Sequence, residues 1–333
     1  MTVVGDVIKA VGGKDIPFPT AAGLDVSENG LLLTAAISGR LLRKDNKLSV
    51  LPELEVRGDV DFSVGNIDFT GSVRILGAVR DGFHVLAEHD IEVRGMVEGS
   101  EVESSANIVV TGGILGMGKG RVIAAGSVTA DFAEQAYIRS GEEIKIKNSV
   151  LHSDLGAQQA IMVTGGRRSQ IIGGKVQAGV AVLCNALGSE IGTKTEVSVG
   201  LSPELAERRK ELRDLIAKYD DNLKKLETNL EFLKRQEQTG VMNENHRALI
   251  ITAMKTKFQL QAVLVSSQNE LQDIEKRFEM TKYKGIVRVR DICYPGVSVT
   301  IWNSTYVVRE SFKYGAFIYD ESAREVRLRS FDI

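Results

Sequence analysis

Several easy assignments fail on what this sequence lacks. No stretch reaches 18 consecutive apolar residues, so nothing reads as a transmembrane helix. The N-terminus has neither the basic start nor the apolar core of a signal peptide. Together these predict a cytoplasmic protein. Only 2 cysteines occur, Cys184 and Cys293, far apart and each in an apolar or strand-like setting; they read as buried free thiols. Net charge is −2 and no basic block is present, which argues against duplex nucleic acid as a partner. The four histidines, His84, His89, His152 and His246, come without HxxxH spacing or an acid-rich ligand set. They read as surface or loop residues and support no metal. No Ser-His-Asp or Cys-His set follows from spacing, so no catalytic, cofactor-binding or metal-binding residue is assigned. Proline is scarce at 5, and aromatics make up only 6%. That suits narrow coils filled by Val, Ile and Ala.

What the chain does have is glycine, 33 residues of it, and repetition. Residues 56–200 repeat a turn signal followed by a short run that is apolar at every second place. The runs align at Ile67, Ile91, Ile108, Val128, Ile144, Ile161 and Val182, with spacings of 24, 17, 20, 16, 17 and 21. Alternation indicates strand. A recurring unit too small to bury its own apolar face indicates a solenoid. Gly58, Gly71, Gly77, Gly95, Gly112, Gly126, Gly141 and Gly156 follow the runs, as corners with positive φ would require. The spacings are not multiples of six, against the left-handed hexapeptide kind. Irregular coils fit a right-handed, single-stranded parallel β-helix, with a β-sandwich as the alternative.

The flanks differ. Residues 1–55 read as short strands, Val3–Ile8, Leu31–Leu33, Ala36–Gly39 and Leu48–Val50, with turns at Gly12-Gly13, Asn29-Gly30 and Asp45-Asn46. Residues 201–284 lose glycine except Gly240 and become helical. Ser202-Pro203 is a helix start. Leu205, Leu212, Tyr219, Leu226 and Leu233 fall seven apart, with Leu215, Ile216, Leu223 and Leu230 beside them, a heptad stripe. Arg208 and Asn222 fall near inward places. Gln238-Thr239-Gly240 breaks the helix and Asn243 caps a second, with Ile250, Met254 and Phe258, then Leu264, Leu271, Ile274 and Phe278 after a phase shift. This predicts an antiparallel coiled-coil hairpin roughly 50 Å tall. It carries 16 Lys and Arg against 14 Asp and Glu, a net of +2, read as a solvated face. Residues 285–333 return to strand, and they are expected to pack with 1–55 as one small β domain formed by both termini.

Two motifs invite chemistry. Gly113–Gly120 resembles a phosphate loop, but Gly120 follows Lys119 where Ser or Thr is needed, and Arg121-Val122-Ile123 reads as strand rather than helix. Asp59, Asp61, Asp68, Asp81 and Asp90 lie where a β-helical polysaccharide lyase would hold Ca²⁺, yet at turn-favouring places.

Gly58-Asp59-Val60-Asp61, Gly65–Val73, Gly95–Gly99, Gly112–Gly116, Gly188-Ser189 and Gly192–Gly200, then a coiled coil, then Tyr294-Pro295-Gly296-Val297, resemble in their order the bacterial flagellar assembly protein A family. The resemblance covers nearly the whole chain. It implies a right-handed β-helix with a protruding coiled coil, a cytoplasmic location with recruitment to the cell pole, and a non-enzymatic scaffold or regulatory role in polar flagellar assembly. Partners would be flagellar, polar-localisation or regulatory proteins, or a second copy. It also implies an N-terminal region preceding this chain. The alternatives are a carbohydrate-active β-helix enzyme and a division-site regulator of the septum-site inhibitor type.

Overall fold

The computed structural model describes residues 5, 12, 13, 16, 18, 22–166, 169–200, 203–238, 244–281 and 285–330. Apart from Gly5, the strand expected over residues 3–8 lies outside these. So do the Ser202 cap, the break at Thr239-Gly240 and the Asn243 cap.

Alternating β-branched residues do what the pattern demands: one side chain in two points inward, and parallel stacking aligns like with like. Three inward ladders result, one per face of the coil. The first runs Val73, Ile91, Ile108, Val128, Ile144, Ile161, Val182, Val287. The second runs Val79, Val97, Ile114, Ala133, Val150, Ile171, Leu187, Cys293. The third runs Ile67, Val85, Val102, Val122, Ile138, Leu155, Val176, Val197, Val299. Every one of these residues is buried, and the pairings are parallel throughout. This is a β-solenoid, not a sandwich. One sequence assignment shifts: Ile67 belongs to the third ladder, and Val73 takes the place expected for it in the first. The 24-residue spacing joined two different faces.

The corner glycines serve a purpose other than the expected one. None of the eight adopts the left-handed region of φ. Gly77, Gly95 and Gly112 instead stack at one corner. A Cβ on Gly95 would lie 2.6 Å from the carbonyl oxygen of Gly77, and one on Gly112 would lie 2.6 Å from that of Gly95. Successive coils touch backbone to backbone there, so a side chain has no room.

After Val199 the chain leaves the stack as α1 (Pro203–Gln238) and α2 (Glu244–Thr281), and it re-enters at Ile286. Ile286–Cys293 then add a parallel rung on Ala181–Leu187, and Val297–Ile301 add one on Thr195–Val199. The last coil therefore follows the helices. Three antiparallel strands, Ser304–Val307, Phe312–Asp320 and Glu325–Ser330, close that end. Phe317 packs there with its ring centroid 5.5 Å from that of Tyr306 and 5.6 Å from that of Phe312.

Near the N-terminus, Leu24–Val26 pairs with Leu33–Ala35 and Arg40–Lys44 with Lys47–Leu51, both antiparallel. The turns are at Asn29-Gly30 and Asp45-Asn46, the latter with φ of 49° and 61°. Residues 36–39, read from sequence as a strand, are a bend. Terminal strands do form small sheets, but the expected packing of 285–333 on 1–55 is corrected. Among the described residues, strands 286–301 pair with the last coils, while Glu53–Val56 pairs with Ser72–Ile75 at the opposite end of the stack. The ladder order places the whole solenoid between them.

Candidate interaction surfaces

Most of the carboxylates singled out for chemistry are used as structural fastenings, each in its own place. Asp59 accepts hydrogen bonds from the Ala78 amide (2.8 Å) and the Arg80 guanidinium (2.7 Å), and these hold its carboxyl below the usual carboxylate range. Asp61 accepts from the Ser63 amide and hydroxyl, which lower it in the same way. Asp90 accepts from both the backbone amide and the side-chain amide of Asn107 one coil on. Asp81 meets Lys119 at 2.7 Å. Turn and corner chemistry accounts for these four, whereas Asp68 points outward on the third face. Lys119 is thus committed to an ion pair, and Arg121–Ala124 is a strand, so the glycine loop lacks both the free lysine and the following helix of a phosphate site.

His84 opens a strand of the third face, and His89 sits in the next turn, where its carbonyl accepts from Ser104. His152 adopts φ of 48° beside Gly173, and His246 lies on α2. Among the described residues no group of three or more His, Cys, Asp or Glu is placed to hold a metal. Cys184 and Cys293 are buried free thiols. Burial pushes both thiols up, Cys293 to about 12.

Two surfaces stand out instead. The first is a groove of about 690 Å³ along the outside of the third face. Leu86, Ile123 and Ala125 give it an apolar floor, and Asp68, Glu88 and Glu103 line it with carboxylates. Glu207 of α1 reaches over it. At one wall the Arg139 guanidinium lies 3.9 Å above the ring of Tyr137 and 2.9 Å from Asp154. Pinned this way, Arg139 is a fixed wall of the groove. The groove suits recognition of an extended chain. Sequence reading missed it, though a signal exists: Val85-Leu86-Ala87 and Val122-Ile123-Ala124 break the alternation by placing an apolar residue outward.

The second surface is the helical hairpin. The expected α1 stripe holds: Leu212 and Leu230 are buried, and Leu205, Tyr219, Leu226 and Leu233 half-buried. Arg208 and Asn222, placed near the seam from sequence, are exposed. Arg208 reaches across to Glu270 at 2.7 Å, and it is Arg209 that occupies the seam. On α2 the expected phase shift is absent. Ile250, Ala253, Lys257, Leu260, Leu264, Ser267, Leu271 and Ile274 form one unbroken series of alternating three- and four-residue steps, all buried or half-buried. Met254 and Phe258, expected inward, are exposed. Arg208–Glu270, Arg213–Glu275 and Lys257–Glu227 tie the two helices; Glu227, late on α1, meets Lys257, earlier on α2 than Glu270 and Glu275, as an antiparallel hairpin requires. At the base, a Cβ on Gly285 would lie 3.3 Å from the Gly200 amide nitrogen, so the hairpin's two ends are neighbours.

No helix among the described residues is long and apolar enough to cross a membrane. No curated protein and no solved structure matches the chain. The family model for the flagellar assembly protein A (FapA) β-solenoid domain matches residues 52–324, which takes in the coils, the inserted hairpin and most of the antiparallel cap. That family is not a known enzyme class and supports a role in flagellar assembly. With a match of this extent, laid over a solenoid built as the ladders describe, the chain belongs to the flagellar assembly protein A β-solenoid family.

Proposed function

We propose that the chain is a cytoplasmic, non-enzymatic scaffold for polar flagellar assembly, recruited to the cell pole and acting through protein–protein contacts made by its hairpin. The observation that carries this reading is the insertion itself. Helices of 36 and 38 residues leave and rejoin the stack at adjacent points, Gly200 and Gly285. The solenoid ladders pass that junction without using any helical residue. A two-helix arm of ~55 Å that the β core does not need for burial is available for recognition. A rigid solenoid presents such an arm at a fixed place.

The test replaces residues 203–282 with a short Gly/Ser linker in the full-length protein of a flagellated host. The expected result is a folded solenoid by circular dichroism, with loss of polar flagella and of captured partner proteins. Normal flagellation and partner capture by the replaced chain would overturn the reading. So would turnover of nucleotides or acidic polysaccharides by the intact protein that is lost on changing Lys119 or the early-coil aspartates.

A further inference from the structure

Helix α2 carries two apolar facets. The first is the seam against α1. The second lies one residue beyond Ile250, Ala253, Lys257 and Leu264: Ile251, Met254, Phe258 and Val265, which are 68%, 45%, 76% and 53% exposed, with Gln261 at the step between Phe258 and Val265. One residue is a rotation of about 100°, so the facets are adjacent stripes on one helix. Steps of three, four and seven residues are what a partner helix requires. The surroundings are nearly free of charge. From Ala248 to Asn269 the only charged residues are Lys255 and Lys257, and Lys257 is paired with Glu227 at 2.7 Å. By contrast, α1 carries 18 charged residues over its 36, so its outer surface is made for water and that of α2 is not.

We propose that this second facet pairs with the same facet of another copy of the chain, antiparallel about a two-fold axis at Phe258, so that two hairpins make a four-helix bundle. The inference deepens the association role proposed for the hairpin and rests on it. The facet is symmetric about Phe258. Ile251 and Val265 stand seven residues to either side, and Met254 and Ala262 four to either side. Antiparallel self-pairing therefore sets Ile251 on Val265, Met254 on Ala262 and Phe258 on Phe258, apolar against apolar at these three levels. It sets Lys255 against Gln261, so no like charges meet. Parallel pairing would set Lys255 beside Lys255. A two-fold contact of one patch with itself is the commonest form of homodimer interface. The facet extends ~21 Å along the helix, short of the ~800 Å² per partner of a stable interface. The dimer is accordingly reversible and depends on concentration.

The experiment is sedimentation velocity on the intact chain over a dilution series, with Phe258→Glu alongside and helicity checked by circular dichroism. The wild type should move toward the dimer as concentration rises, while the variant stays monomeric with unchanged helicity. Orientation is read from single-cysteine variants under mild oxidation, with Cys184 and Cys293 buried and out of the way. Phe258→Cys should form an interchain disulfide and Lys255→Cys should not, but Lys255→Cys mixed with Gln261→Cys should. A wild type that is monomeric throughout, a dimer that survives Phe258→Glu, or self-crosslinking of Lys255→Cys would each overturn the proposal. Failure here leaves the scaffold reading standing if replacing the hairpin still abolishes flagella. Normal flagella in the replaced strain sink that reading even where the dimer is real.

Discussion

At the scale of single residues, the solenoid is unforgiving inside and indifferent outside. Ile108 sits mid-ladder between Ile91 and Val128 and is fully buried. Ile108→Asp would place an unpaired charge among aliphatic groups with coils stacked on both sides. It should destabilise the solenoid by more than ~4 kcal/mol, read as a collapse of the thermal unfolding midpoint. The two thiols give a second residue-scale expectation. The Cys293 thiol moves from an ordinary value of 9.0 to about 12 through burial. A raised folded value means its contribution to stability is intact below pH 9 and declines as pH rises from 9 toward 12, because the unfolded chain ionises first. Neither thiol should react with a thiol reagent at pH 8 until the protein is denatured, whereupon two equivalents should appear. Fast labelling of the native protein would contradict the burial. Cysteines were legible from sequence because a small apolar residue inside alternating strand has one natural place. The corner glycines were legible as corners but not in their reason. Close approach to the next coil at Gly95 depends on which residues stack, and that is long-range information.

At the scale of elements, the seam of the hairpin was half legible. Five apolar residues seven apart on α1 leave little choice of face. On α2, two apolar stripes compete, and reading Ile250, Met254 and Phe258 as one series crosses from one to the other. Only the partner helix decides which stripe is the seam, and it selects the one that passes through Ala253, Lys257 and Leu260. Side-chain truncation separates the two stripes. Leu212→Ala, in the buried seam, should cost about 2–5 kcal/mol and lower the helical unfolding transition. Met254→Ala, on the outer stripe, should change the stability of a dilute sample by less than ~0.5 kcal/mol. Equal effects of the two on helical melting would mean the outer stripe is packed within the monomer. Of the third-face groove only the outward Leu86 and Ile123 left a local signal; its members Leu86, Glu103, Ile123 and Arg139 come from four successive coils and meet only when the register is fixed.

At the scale of the whole molecule, repeat structure made the solenoid the most readable part, since each coil repeats the same instruction. The placement of the termini was the least readable. Nothing local says whether strands after a helical excursion return to the stack or join the first segment. They return because the open edge of the Ala181–Leu187 coil offers unpaired hydrogen-bonding groups and an exposed apolar end, and Ile286–Cys293 satisfies both. The antiparallel cap then covers the edge that would otherwise invite another chain.

The insertion point also has a consequence for the order of events in folding. The final coil is joined to its neighbour through an excursion of 84 residues, 201–284, and closing a flexible loop of about that length costs ~4 kcal/mol in chain entropy. Two helices that meet through local contacts form in microseconds and bring Gly200 and Gly285 together before the last rung is laid. The hairpin should therefore act as a splint, folding early and letting the cap dock late. In pulsed hydrogen exchange during refolding, amides of α1 and α2 should gain protection before those of Ile286–Cys293 and Phe312–Asp320. A variant whose seam is broken should refold its early coils at the normal rate while the cap lags. A cap that is protected before the helices would show that the chain finds its way back without the splint.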